Sequence, residues 1–322
     1  MNRKFRQLSP LFMADLQQGI LHPLLEWICM DDTLMLAIRD NYINVYYRGG
    51  NIIKLEEAPQ QHQYKASFEK KYAKFCPELL PKELPTKITS EADIAAWVES
   101  IPARKQAMDF WFRKNPKTER EFQQLVVREN NYSPVSNGTE YFIADIEFTE
   151  ADIGTRFDML AFKWPAKERQ SGKVQLALIE MKYADSALRG KSGVAEHFKQ
   201  MSKYLSDNKN RTYLADMTTT QINQFNKLKL FKHRIGDARE FEVDDKHFEI
   251  IFIFASHNPR SEPLLNALND LEALIRERVN KNFDVLFFVA STAGYAMHRA
   301  CMMDINNYMN FVTANLQKKQ AL

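Results

Sequence analysis

Val174-Gln175-Leu176-Ala177-Leu178-Ile179-Glu180-Met181-Lys182 is apolar at five of its first six positions and then ends in ionisable side chains. So apolar a run predicts a central strand buried on both faces. Charges at the end of a buried strand must be paired, hydrogen-bonded or engaged with a metal. With a side-chain period of two, Glu180 and Lys182 share the face of Leu176 and Leu178. Two opposite charges therefore meet at the edge of a hydrophobic sheet.

The preceding apolar stretch, Thr155-Arg156-Phe157-Asp158-Met159-Leu160-Ala161-Phe162, carries the same oddity in Asp158. Consecutive strands are usually neighbours, so Asp158 is expected to approach Glu180. Two close carboxylates repel unless one is protonated or a cation bridges them. Oxygen ligands, with no Cys or His nearby in sequence, point to Mg²⁺ or Mn²⁺ rather than zinc. The competing reading is a buried salt bridge between Lys182 and Glu180 or Asp158. The bare acid-x-Lys pattern recurs at Glu69-Lys70-Lys71, Asp207-Asn208-Lys209 and Asp244-Asp245-Lys246, but in polar surroundings that read as solvated charge.

Phe157-Asp158-Met159-Leu160 followed by Leu178-Ile179-Glu180-Met181-Lys182 resembles the PD-(D/E)xK phosphodiesterase superfamily, which includes type II restriction enzymes, RecB-like nucleases and archaeal Holliday-junction resolvases. Phe157 stands where the name has proline. The acidic Glu119-Arg120-Glu121-Phe122 is similar to the helix that opens many members, and the resemblance covers residues 117 to 210. It implies a restriction-endonuclease-like α/β fold, a mixed sheet flanked by helices. It also implies a Mg-dependent deoxyribonuclease, with Mn²⁺ an alternative ion, in bacterial defence, restriction or repair. Asp158 and Glu180 would bind the metal with the backbone carbonyl of Met181, and Glu119 would complete the shell through water, with Glu121 its rival. Lys182 would activate water. In the following helix His197, Gln200, Met201 and Tyr204 share one face by spacing. Members place a Gln and an aromatic there, so the resemblance assigns Gln200 to catalysis and Tyr204 to nucleic-acid contact, with a core position the competing reading of Tyr204. His197 reads as a surface residue or a support behind the site. Arg189, Lys191 and Lys199 are candidates to clamp a phosphate backbone. The alternative function is a nucleic-acid-binding protein that keeps the nuclease fold but does not cleave. The motifs leave DNA versus RNA open.

Outward from this centre, the pattern predicts a helix at Thr118 to Glu129, strands at Tyr141 to Phe148, Thr155 to Trp164 and Val174 to Lys182, then helices at Val194 to Ser206 and Thr218 to Phe231. A strand at Phe248 to Ala255, a helix at Glu262 to Val279, a strand at Phe283 to Val289 and a helix at Asp304 to Leu316 complete it. Asp145 and Glu147 read as an exposed polar face of the first of these strands. Residues 117–322 thus form the nuclease-like domain, and 89–116 a helical linker, with a helix capped by Ser90 and Asp93 and another at Ala103 to Arg113. Residues 1–88 form a small α+β N-terminal domain. There two short helices precede period-two stretches at Thr33 to Ile38 and Tyr42 to Tyr47 and a run at Ile52 to Leu55, and Arg48-Gly49-Gly50-Asn51 supplies a hairpin turn. Tyr46, Tyr47 and Arg48 read as cross-strand packing rather than a base-stacking platform.

The composition, 45% hydrophobic and 26% charged, is that of a globular chain. No apolar run is long enough to span a bilayer, and no signal-peptide core follows the basic start, so a cytoplasmic protein without a membrane partner is expected. Three scattered cysteines argue for a reducing compartment and against zinc or iron–sulfur sites. The seven histidines form no HxxxH or HExxH pair, and the absence of a P-loop argues against ATP-driven chemistry. Net charge is only +3, but from Tyr183 to Arg234 ten basic residues face four acidic ones, a local +6 that would suit phosphate. DNA is the expected partner. A homodimer is expected too, since cutting both strands of a duplex usually takes two active sites.

Overall fold

A computed structural model of the chain describes residues 3, 5–132, 139–150, 155–165, 171–190, 193–231, 240–255, 262–278, 282–290, 299 and 302–320. It divides into two compact units, Met1–Pro134 with Met217–Arg239, and Val135–Asp216 with Glu240–Leu322.

The first unit opens with helices α1 (Pro10–Gln18) and α2 (His22–Met30), followed by strands β1 (Leu34–Ile38), β2 (Tyr42–Tyr47), β3 (Gly50–Glu57), β4 (Tyr64–Ser67) and β5 (Lys87–Ile88). The strands form one antiparallel sheet in sequence order. Tyr47 pairs with Gly50, so Arg48 and Gly49 alone make the turn, both with positive φ. That is the backbone a two-residue hairpin loop needs for its twist to match the strands. Arg48 also reaches beyond the turn, donating to Asp109 and, through Nε and a second guanidinium nitrogen, to both oxygens of Glu121 at 2.8 and 3.0 Å. The Tyr47 hydroxyl donates to Asp109 as well, and burial together with that carboxylate pushes its phenol up to about 12. Tyr47 and Arg48 are thus held by their own unit.

Helices α3 (Glu91–Glu99), α4 (Ile101–Lys114) and α5 (Thr118–Val127) follow, the first with the expected capping box of Ser90 and Asp93. The boundaries expected after residue 88 and at residue 117 both fall inside this unit. The physical reason is that the helices close over the sheet. Met108 and Phe112 of α4 are buried. The Gln124 amide of α5 donates to the carbonyls of Thr33 and Tyr46 at 2.8 and 3.0 Å. The later segment belongs here through Gln224, whose amide exchanges two hydrogen bonds with the Leu8 backbone.

Gly49 has φ +72°, and a Cβ there would lie 2.6 Å from the Arg120 Cβ and 2.8 Å from its carbonyl carbon and oxygen. Gly49→Ala therefore combines a left-handed backbone with a clash against helix backbone and is expected to cost about 2 kcal/mol or more. Urea denaturation measures it; a loss under about 0.5 kcal/mol would mean that α5 yields freely at the turn.

In the second unit strands β6 (Tyr141–Glu150), β7 (Thr155–Lys163), β8 (Lys173–Tyr183), β9 (Glu242–Ala255) and β10 (Phe283–Ala290) form a sheet of order β10-β9-β8-β7-β6. β6, β7 and β8 pair antiparallel, whereas β8, β9 and β10 pair parallel, so the sheet is mixed. Helix α6 (Val194–Ser206) packs on β7, β8 and β9 and beside α8 (Glu262–Arg276), which lies against α9 (Ile305–Gln320), itself on β10. Helix α7 (Asn208–Lys227) starts in this unit and ends in the first. The α/β class is therefore present, as two sheets with helices. Among the described residues no helix is long and apolar enough to cross a membrane.

Candidate active site

β8 has the burial its sequence predicts, with every residue from Leu176 to Lys182 buried. Its ladder with β7 runs from Lys163↔Gln175 to Met159↔Ile179 and stops. One step further Asp158 stands opposite Glu180. There the strands part, and the Asp158 carboxylate accepts the Met181 backbone N–H at 2.9 Å. A side chain thus takes the place in the ladder that a carbonyl would have filled, which satisfies a buried donor. Asp158, Glu180 and Lys182 are 5%, 1% and 4% exposed. The Lys182 ammonium donates to Glu180 Oε1 at 2.6 Å. The salt bridge weighed from sequence therefore exists, between Lys182 and Glu180.

A fourth residue joins them. His197, on the first turn of α6, brings Nδ1 to 3.1 Å from Glu180 Oε1. The approach lies outside hydrogen-bonding geometry, and Nδ1 is buried with no hydrogen-bond partner among the described residues. Burial first, then the cations of Lys182 and Arg156, pull the ring down to about 4, so it is neutral near pH 7. Of the two readings of His197, surface residue or support behind the site, the contact with Glu180 fits the second. Sequence separation hid it: α6 folds back over β8 and returns residue 197 to residue 180.

β6 supplies another acid. The pairs Ile146↔Met159 and Phe148↔Phe157 leave Glu147 opposite Asp158, with φ +52° at Glu147 and an irregularity between Ile143 and Asp145. Glu147 pairs with Arg156. Asp145, expected on an exposed face, is fully buried and accepts the Ile146 N–H at 2.8 Å; the irregularity turns it inward.

The other expected residues are scattered. Tyr204 is buried, donates to Glu150 at 2.8 Å and meets the Phe157 ring edge-on, so the structure corrects its assignment to nucleic acid: it is core. Gln200 and Lys199 are exposed on α6. Arg189 is exposed beside a cleft of about 400 Å³ that Gly190, Gly193 and Asp270 also line. Lys191 lies outside the described residues. Glu119 and Glu121 belong to the first unit, where Glu121 is held by Arg48 and Glu119 is half-buried. The +6 stretch is divided between the two units and the residues outside the description. Lys227 and Lys229 fall in the first unit, Lys232 and Arg234 outside the described residues, and the six remaining basic residues against four acidic ones leave +2.

Among the described residues no three His, Cys, Asp or Glu side chains converge as a metal-ligand set. Asp158 and Glu180 are hard oxygen donors, the kind that Mg²⁺ and Mn²⁺ take. No family model matches the chain, and neither curated proteins nor solved structures give a match.

Proposed function

We propose that the chain is a metal-dependent nuclease of the PD-(D/E)xK type, hydrolysing DNA phosphodiester bonds with Mg²⁺ in the cytoplasm, in defence, restriction or repair. One observation carries this reading: Asp158, Glu180 and Lys182 are gathered, almost fully buried, where β7 and β8 separate. Three strands in antiparallel sequence followed by a parallel one fit the restriction-endonuclease-like sheet that the motifs imply.

In this reading Asp158 and Glu180 hold the ion, with the backbone carbonyl of Met181 as a third ligand. The ion would neutralise phosphate charge and lower the pKa of a bound water. Lys182 orients that water and stabilises charge developing on the phosphate oxygens. Met181, through its N–H, fixes the Asp158 carboxylate. Arg189 and Lys199 contact the substrate backbone and Gln200 the bound phosphate, and two chains act together on a duplex.

Purified protein with Mg²⁺ is expected to cut linear or plasmid DNA and to stop on chelation. Asp158→Asn keeps the shape and most of the hydrogen bonding but removes the charge, and should lower the rate at least about 100-fold with an unchanged circular-dichroism spectrum. Equal cutting by the variant would end the proposal. The Lys182–Glu180 pair favours a second reading, a binding protein that does not cleave. It predicts salt-sensitive DNA binding indifferent to metal.

A further inference from the structure

Two large apolar side chains left exposed lie on one strip of the first unit: Phe75 is 36% and Phe110 44% exposed. Single exposed apolar residues are ordinary, but apolar surface rimmed by polar groups marks a site of interaction. Phe75 ends a short 3-10 helix, Lys70–Phe75, that packs on α4, the helix carrying Phe110. Cations surround both rings. The Lys114 ammonium lies 4.4 Å from the Phe75 ring centre and the Lys74 ammonium 5.6 Å. Arg113 and Lys114 follow Phe110 at the spacing that shares a helix face. Lys117 is exposed just beyond the end of α4. Among the described residues none of these four cations is paired with a carboxylate. Of the acids nearby in sequence, Glu69 is taken by Lys71 and Asp109 by Arg48, which leaves exposed Glu78 and half-buried Glu119 against them.

We propose that this strip binds single-stranded DNA, with the Phe75 and Phe110 rings as stacking platforms and Lys74, Arg113, Lys114 and Lys117 on the phosphates. The inference takes from the nuclease reading only that the partner is DNA, and adds the form in which it is bound. Exposed rings among unpaired cations are what an unpaired strand requires, since every base has an apolar face and every link a negative charge. Bases inside a duplex offer no such face. A lysine stem is flexible, so a base can take the Phe75 ring face while the ammonium moves to the adjoining phosphate. A second copy of the chain is a poor occupant, because a two-fold contact sets a patch against itself and would bring like charges together.

The test is binding, read apart from cleavage. The full chain in EDTA is titrated against a fluorescein-labelled oligothymidylate of about 20 nucleotides, longer than one such site needs, and anisotropy is recorded. A duplex of the same length should bind at least about tenfold more weakly. Phe110→Ala and Phe75→Ala are each expected to lose about tenfold in affinity with an unchanged circular-dichroism spectrum, and Phe110→Trp, a larger platform, should bind at least as well as wild type. Lys114→Gln should flatten the dependence of log affinity on log salt by about 0.7, the share of one phosphate on a single strand. Equal affinity for the duplex, or alanine variants and Phe110→Trp that all bind as wild type, overturns the inference. So does tighter binding of oligouridylate, which would assign the strip to RNA. Sedimentation with phosphatidylserine vesicles that oligothymidylate does not displace would assign it to a lipid surface and overturn it as well. Metal-dependent cleavage without ring-dependent binding sinks this inference alone; ring-dependent binding without cleavage sinks the nuclease reading alone.

Discussion

Lys182→Met is expected to lower Mg²⁺-dependent DNA cleavage by about 10²- to 10³-fold, the loss seen when a positioned charge-stabilising donor is removed. Methionine keeps much of the apolar stem, so the change is mainly one of charge. Stability responds in the same experiment. The Lys182 ammonium lies 2.6 Å from Glu180 Oε1, with side-chain exposures of 5% and 1%. Removing one member of such a buried pair costs on the order of 3–5 kcal/mol, because the remaining charge is stranded. Without metal, the melting temperature should therefore fall. Added Mg²⁺ supplies the missing positive charge and should restore part of it, since an ion that binds only the folded state stabilises it. Cleavage should not return, because the ion cannot replace the ammonium beside the phosphate. If Mg²⁺ restores neither stability nor activity, Lys182 is a counter-ion to Glu180 and nothing more.

The elements around this pair were largely legible in the sequence. An apolar run ending in charge placed β8, and Val194–Ser206 emerged as a helix with its expected bounds. The four-residue strand β4 was legible too but overlooked, as Tyr64 to Ser67 alternate between buried and exposed. Other features had little local signal. Helix α7 begins at Asn208 where a start at Thr218 was expected, since polar first turns carry no apolar periodicity to read; Asp207, which accepts the Lys209 N–H, was the available clue. Strand β9 begins at Glu242 rather than Phe248, since the charged Glu242 to Asp244 pair with Lys173 to Gln175 of β8 before the register shifts. Backbone pairing there outweighs side-chain polarity. The units themselves were hidden, because the bond between Leu8 and Gln224 joins residues 216 apart. His197 was read as a surface residue or a support behind the site; spacing alone could not choose, because it orders residues along a helix and says nothing of what the helix lands on.

A second large effect belongs to the far end of the same sheet, where Glu249 of β9 accepts the Tyr141 hydroxyl at 2.7 Å and the Lys163 ammonium at 2.7 Å. This bond pair links β6, β7 and β9 over the intervening β8. Glu249 and Lys163 side chains are 3% and 15% exposed. Burial and the Glu249 charge hold the Tyr141 phenol well above its ordinary range, which keeps it a donor at every physiological pH. Lys163→Met should strand the Glu249 charge on one neutral donor and destabilise by about 3 kcal/mol, lowering the melting temperature on the order of 10 °C. Glu249→Leu should cost a similar amount, by leaving a buried hydroxyl and a half-buried ammonium unanswered. Combining the two removes both charges, and the double variant is expected to recover most of the loss. Lys163 lies five residues along β7 from Asp158, roughly 17 Å in an extended strand, so any metal binding at Asp158 and Glu180 should be unchanged. Simple addition of the two single losses would show that Lys163 and Glu249 do not interact. A change in metal affinity would show that the two ends of the sheet are coupled, and would link the far cluster to the site.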